Sequence, residues 1–162
     1  MAHYSREIVV PTPPGVTFRY LSRFSSAREW DPGVIEAAMV TPEPVGLGSR
    51  FRMVAVFLGA KVPLEYEIIE YDPPRRVVLT AENRSVCSTD TISLRPTASG
   101  GTTLRYDAEL ALKGAARLAG PLFTVALRRV GDRAAYGLHA TLTKLAKPAK
   151  PASQPPSEPR SG

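Results

Sequence analysis

The residues of this chain best suited to acid–base chemistry are Asp90, Tyr66 and Tyr106. Asp90 shares its alternation with Ile92 and Leu94, so a strand that buries those two side chains would also turn its carboxyl group inward. A buried carboxyl group is unfavourable unless it is hydrogen-bonded or protonated. The alternative is that Asp90 lies near a strand end and reaches water. The tyrosines are typical of core residues with a satisfied hydroxyl group.

Other catalytic chemistries find little support. His139 falls on the outer face of a predicted helix and His3 at the start of a strand, so a general base at neutral pH would have to be Asp90 or a tyrosine. Two distant histidines and one cysteine, Cys87, cannot assemble a zinc site. The turn at Gly46-Leu47-Gly48 lies between two predicted strands, whereas a phosphate-binding glycine loop would be followed by a helix. The sequence therefore predicts no metal and no cofactor.

Composition favours one domain with a real core. The chain has 162 residues, of which 43% are hydrophobic, and a net charge of +6. The basic residues are scattered, and their densest cluster, at Arg128, Arg129 and Arg133, is predicted to be a solvated helix face. A nucleic-acid site would need aromatic residues exposed among basic ones. Most aromatic residues here alternate in step with the apolar residues of the strands and are therefore predicted to be interior, so we expect no nucleic-acid partner.

Membrane insertion is not predicted either. The longest apolar run, Met53–Ala60, is bracketed by charges and is far too short to span a bilayer. Residues 1–8 are polar and charged, unlike a signal peptide. The lone Cys87 excludes an internal disulfide, which fits a reducing cytoplasm. We expect a cytoplasmic protein that is monomeric or weakly dimeric.

Alternating apolar residues predict a single curved antiparallel sheet of seven strands that buries one face. In the clearest case, Phe51, Met53, Ala55 and Phe57 share one face. Two short helices are predicted between the first and second strands, with Thr12 as the N-cap of the first and a capping box at Ser26 and Glu29 for the second. The predicted strands are Tyr4–Val10, Val34–Val40, Ser49–Leu58, Val62–Tyr71, Val77–Glu82, Val86–Leu94 and Thr102–Leu112.

A long amphipathic helix, about Ala116 to Leu145, is predicted to lie across the concave face of the sheet. Its inward stripe is predicted to be Leu122, Ala126, Val130, Ala134, Gly137, Thr141 and Leu145. The middle of that stripe is small, which indicates either a ligand cavity between helix and sheet or close packing of the two. Residues 147–162 are rich in Pro, Ala, Ser and Lys, and we expect them to form a disordered tail after a domain of residues 1–146.

The order of these elements, with motifs at Pro13–Phe18, Glu29–Val34, Gly46–Phe51 and Gly101–Tyr106, resembles the helix-grip, or START/Bet v 1-like (SRPBCC), superfamily. The fold class is accordingly α+β. The resemblance covers residues 3–146 and is nearer to the bacterial polyketide cyclase/dehydrase-like members. It implies an apolar cavity between the sheet and the last helix that binds lipids, polyketides or other hydrophobic molecules. It is specific for a fold and not for a function.

The predicted function is binding of a hydrophobic small molecule. The lining would comprise Trp30, Phe51, Met53, Tyr66, Tyr106, Leu122, Ala126, Val130 and Ala134. One alternative is an enzyme of polyketide cyclase/dehydratase type that uses Asp90 and Tyr106, because an enzyme needs converging polar groups and a carrier needs few. A further alternative is a protein-interaction or regulatory module with a vestigial cavity.

Overall fold

Seven antiparallel strands form one sheet in the computed structural model. The structure describes residues 1–147. For residues 115, 116, 119 and 121 it describes only the backbone. The spatial order is β1-β7-β6-β5-β4-β3-β2, a meander whose first strand returns beside the last. This confirms the predicted helix-grip sheet. The strands are β1 Ala2–Val10, β2 Val34–Met39, β3 Arg50–Phe57, β4 Ala60–Asp72, β5 Arg76–Glu82, β6 Val86–Pro96 and β7 Thr102–Leu112.

Side-chain alternation gives the sheet one buried and one wet face. Phe51, Ile92 and Leu104 are fully buried, in one cluster with residues of the last helix. On the other face, Arg50 of β3 and Glu65 of β4 form an ion pair, with 3.0 Å between Nη1 and Oε1. The register of the sheet shifts in β2 and again in β4. Such bulges bend strands, and they fit a sheet that curls around its buried face.

The helices are α1 Pro14–Ser22, α2 Ala27–Trp30 and α3 Gly120–Leu145, with 3₁₀ turns at Phe24–Ser26 and Gly114–Ala119. The predicted N-cap of α1 is wrong. The N-cap of α1 is Pro13, and the buried Thr12 hydroxyl instead donates to the Leu142 carbonyl oxygen at 2.6 Å. That bond ties the loop after β1 to the end of α3.

The predicted capping box of α2 does not form, although Ser26 is its N-cap. The Ser26 hydroxyl donates to the Tyr20 carbonyl oxygen at 3.1 Å, and the Glu29 carboxylate accepts from the Tyr20 hydroxyl at 2.6 Å. Both side chains therefore turn towards α1. The outcome is a firm connection between the two short helices in place of a local cap.

The buried face of α3 differs from the predicted stripe. Phe123, Leu127, Ala134, Leu138 and Leu142 are buried. Leu122 and Leu145 are 65% and 48% exposed, so their predicted inward position is wrong. Adjacent positions 122 and 123 are both apolar, so residue spacing alone did not fix which side of the helix faces the sheet. The Phe123 ring fixes it, because it packs against Phe57 with 4.8 Å between ring centroids.

Within residues 1–147, no helix is both long enough and apolar enough to cross a bilayer. Of the predicted tail, only Lys147 lies within this range; residues 148–162 lie outside the described part of the chain.

Candidate functional site

A cavity of about 390 Å³ lies between the concave face of the sheet and α3. Apolar side chains from β3, β4, β7 and α3 make up most of its wall, among them Met53, Leu64, Leu104 and Val130. Leu58, at the turn after β3, also borders it and is 61% exposed. The cavity therefore reaches the surface near this turn.

The cavity wall includes six of the nine residues predicted from the sequence: Trp30, Met53, Tyr66, Tyr106, Val130 and Ala134. Phe51 is fully buried but joins the packed cluster that contains Phe18 and Leu21 of α1. Leu122 points away, and Ala126 is half-buried outside the lining. Both follow from the shifted phase of α3. The structure gives the position of each of these residues, and the role of each in ligand binding stays a prediction.

The polar part of the wall is a chain of hydrogen bonds across three strands. The Tyr66 hydroxyl of β4 donates to the Ser88 hydroxyl of β6 at 3.0 Å, and Ser88 donates to Oδ2 of Asp90 at 3.0 Å. The Tyr106 hydroxyl of β7 donates to Oδ1 of Asp90. Tyr66, Ser88, Asp90 and Tyr106 all border the cavity. This cluster presents the carboxyl group of Asp90 to a mostly apolar space.

Asp90 is buried, with 4% of its surface exposed, and lies inside β6 opposite Ala108 of β7. Of the two placements open from the sequence, the inward one is observed. Burial raises the pKa of the Asp90 carboxyl group, and the hydrogen bonds from Tyr106 and Ser88 partly offset that effect. Burial likewise raises the pKa values of Tyr66 and Tyr106 well above 10.0. Both tyrosines therefore act as hydroxyl donors at neutral pH.

Asp31 is a second carboxyl group on the cavity wall, which the sequence analysis missed. Its Oδ1 accepts a hydrogen bond from the Gly33 backbone N–H at 2.8 Å. Burial raises the pKa of Asp31, and the nearby charge of Asp90 raises it further. Asp31 follows α2 in an Asp-Pro-Gly turn, where strand alternation assigns no direction. Ser88, also missed, shares the alternation of Asp90 and was detectable from the sequence.

Aromatic rings stand beside this polar cluster. The Trp30 and Tyr106 rings meet edge to face with 6.0 Å between centroids, and the Phe24 and Tyr66 rings do so at 4.9 Å. Trp30, Phe24 and both tyrosines border the cavity. Edge-to-face pairs of this kind are stabilising beyond their buried area. They hold the hydroxyl groups of the tyrosines in fixed positions towards Ser88 and Asp90.

Charged groups elsewhere on the wall are few. Arg6 of β1 borders the cavity, and its Nη1 lies 3.8 Å from Oδ1 of Asp132 on α3. The Tyr4 hydroxyl donates to the same oxygen at 3.1 Å. His139 is exposed and does not border the cavity. Over residues 1–147, no three His, Cys, Asp or Glu side chains are grouped as a metal site would require.

Comparison with solved structures shows the same fold in other proteins. A START superfamily protein from Mycobacterium smegmatis superposes with a TM-score of 0.75 at 14% identity, over 90% of this chain and 99% of that one. The Zhui aromatase/cyclase from Streptomyces sp. R1128 superposes with a TM-score of 0.69 at 13% identity, over 89% and 92%. Likeness at these identities shows the fold alone.

Sequence comparison shows the family. An uncharacterized protein of Mycobacterium tuberculosis is 31% identical over 136 residues, which are 82% of this chain and 91% of that protein. A family model described as polyketide cyclase / dehydrase and lipid transport matches residues 1–149. The resemblance to START/Bet v 1-like proteins stated from the sequence is thereby confirmed. The chain belongs to the polyketide cyclase/dehydrase and lipid transport family.

Proposed function

We propose that this protein binds a hydrophobic small molecule, lipid-like or polyketide-like, in the cavity between the sheet and α3. The observation that carries the proposal is a cavity of about 390 Å³ whose wall is mostly apolar and includes a cluster of hydrogen-bonded polar groups. A ligand that buries roughly 250 Å² of apolar surface there would gain about 6 kcal/mol from desolvation, before the costs of immobilising it. Hydrogen-bonding groups at one side of the wall would then fix its orientation.

The only tryptophan of the chain makes the proposal testable by fluorescence. Trp30 borders the cavity. A neutral apolar dye that accepts energy from tryptophan, such as N-phenyl-1-naphthylamine, should quench Trp30 on binding and saturate at one dye per chain. Weak, non-saturating quenching would contradict the proposal. Native mass spectrometry of protein purified from its own host would then identify the natural ligand.

A second candidate is catalysis of cyclisation or dehydration of a polyketide-like substrate, favoured by the Asp90–Tyr106 hydrogen bond. A carboxyl group whose pKa is raised by burial is a stronger base than an ordinary carboxylate and is better suited to accept and return a proton. Family membership is compatible with this activity. Binding ranks first because it requires only the cavity, whereas catalysis also requires a substrate held against Asp90.

The remaining alternative, an interaction or regulatory module with a vestigial cavity, ranks below both, because a cavity of this volume is ample for a small ligand. We also propose a cytoplasmic location and a monomeric or weakly dimeric state. The first rests on the lone free cysteine, Cys87.

A further inference from the structure

The ionisable groups on the cavity wall are unevenly charged. Two carboxyl groups, Asp31 and Asp90, border the cavity, and Arg6 is the basic residue among the described residues of its wall. The Arg6 guanidinium lies beside the Asp132 carboxylate on α3, with 59% of its side chain exposed. Its charge is thus shared with an acidic neighbour at the surface. A ligand inside the cavity therefore meets more acidic than basic groups.

Asp90 has hydrogen-bond donors but no cationic neighbour. Tyr106 and Ser88 donate to its two oxygens, and no ion pair among residues 1–147 includes Asp90 or Asp31. A buried carboxylate without a counter-charge is costly. Its charge can be compensated by a bound proton or by a cation that enters the cavity.

The surroundings of Asp90 suit an organic cation. Tyr106 donates to Asp90, and Trp30 packs edge to face on Tyr106. Asp31 follows Trp30 directly and, like Asp90, borders the cavity. Aromatic faces attract alkylammonium groups, most strongly where water is excluded. Two carboxyl groups and two aromatic rings therefore lie on the wall of a mostly apolar cavity.

We infer that the cavity takes an apolar amine, whose protonated nitrogen lies against Asp90 and Asp31 while its hydrocarbon part lies along Met53, Leu104 and Val130. The inference rests on the proposed binding function and narrows it to a ligand class. A fatty acid would bring its carboxylate to the same carboxyl groups, which repel it when they are ionised and offer it no counter-charge when they are protonated. The cavity thus discriminates between lipid-like molecules by head-group charge.

A pH dependence follows from the groups that face Asp90. These are Tyr66 of β4, Ser88 of β6, Tyr106 of β7 and Asp31, with Tyr4 and Arg6 of β1 also on the wall; α3 contributes apolar residues to it. Burial favours the protonated form of Asp90 in the empty cavity. An ammonium group opposite favours the carboxylate, so at any pH where Asp90 is protonated, amine binding releases that proton. Amine affinity should rise with pH through the titration of Asp90.

The test compares four probes of nearly equal chain length: decylamine, decanol, 2-undecanone and decanoate. Each displaces the neutral dye whose fluorescence is excited through Trp30. At neutral pH, decylamine should bind at least about tenfold more tightly than decanol, and decanoate should bind most weakly. Asp90→Asn should reduce decylamine affinity at least about tenfold and decanol affinity by a much smaller factor. Glu36→Gln, an exposed residue of β2 outside the cavity wall, is the charge-matched control.

A second variant, Asp31→Asn, keeps the test valid if Asp90→Asn does not fold, because it removes a carboxyl group from the wall without breaking the Tyr106 hydrogen bond. Decanol or the ketone binding as tightly as the amine would overturn the inference and leave the proposed function standing. An amine affinity that is unchanged in both variants would also overturn the inference and leave the proposed function standing. Failure of all four probes and of the dye would overturn the proposed function as well.

Discussion

Gly137 of α3 packs directly on the backbone of Trp30 at the end of α2. A Cβ atom at position 137 would lie 2.0 Å from the Trp30 carbonyl oxygen, far inside van der Waals contact. Ala134, one turn earlier on the same helix, borders the cavity. The two small residues of α3 thus have different surroundings. One allows close packing and the other leaves open space.

The Gly137→Ala variant should be destabilised. Alanine gains about 1 kcal/mol of helix propensity over glycine, but the clash with Trp30 forces α2 and α3 apart, and strain of this kind costs about 1–3 kcal/mol or more. We expect a net loss of stability, measured as a lower melting temperature. Gly15→Ala in α1 is the control, since a Cβ there meets nothing within 4 Å. A Gly137→Ala variant as stable as that control would show that the two helices are not in contact.

The pKa of Asp90 has a consequence for stability. A carboxyl group whose pKa is raised by folding binds more protons in the native state than in the unfolded state. Stability should therefore fall as pH rises above the usual value of 3.8, through the pKa of the folded state. The slope for one proton is at most about 1.4 kcal/mol per pH unit. Asp90→Asn should reduce this fall without abolishing it, because the pKa of Asp31 is raised too.

Urea unfolding of the wild-type protein and the Asp90→Asn variant between about pH 4 and pH 8 measures both slopes. The difference in unfolding free energy between the two proteins should shift in favour of the variant as pH rises. A difference that is constant across this range would mean that Asp90 has an ordinary pKa in the folded protein.

The catalytic alternative predicts a different role for the same residue. If the cavity cyclises or dehydrates a poly-ketone, Asp90→Asn should abolish turnover while dye affinity is preserved. Wild-type turnover should also follow the titration of Asp90. Unchanged turnover in the variant, or no pH-dependent activity with any poly-ketone, would count against catalysis.

Composition alone predicts that residues 147–162 add nothing to the stability of the fold. A chain cut after Ala146 should melt at almost the same temperature as the full chain, because a segment rich in Pro, Ser and Lys has little apolar surface to bury. A loss of several degrees would mean that this segment packs on the domain and that the predicted boundary is misplaced.

The sheet was predictable because each strand carries its own signal. Alternation such as Leu64, Tyr66 and Ile68 against Glu65 and Glu67 fixes both the strand and its buried face. Asp90 followed from the same rule, and it is buried. Glycine and proline turns then limit the ways in which neighbouring strands pair, so the fold was accessible from one sequence.

The cavity wall was only partly predictable, because it depends on tertiary contacts. The phase of α3 was ambiguous by one residue, and the packing of Phe123 on Phe57 decides it. Strand alternation does not predict the position of Asp31, because this residue lies in a turn, and in the structure it borders the cavity. Phe51 shares a face and a buried cluster with Met53, yet it is not among the residues that line the cavity. Local patterns do not reveal which part of a concave face is filled.

The most direct test of the account is the Ala134→Phe variant, with Ala126→Phe as its control. Ala134 borders the cavity, and Ala126, on the same helix, does not. A phenyl ring at position 134 should enter open space, so melting temperature should stay nearly unchanged while Trp30-sensitised dye binding is lost. In a packed interior the same insertion would cost about 1–3 kcal/mol. Ala126→Phe should keep dye affinity. Strong destabilisation of Ala134→Phe, or a dye affinity equal to that of the wild-type protein, would contradict a ligand cavity between α3 and the sheet.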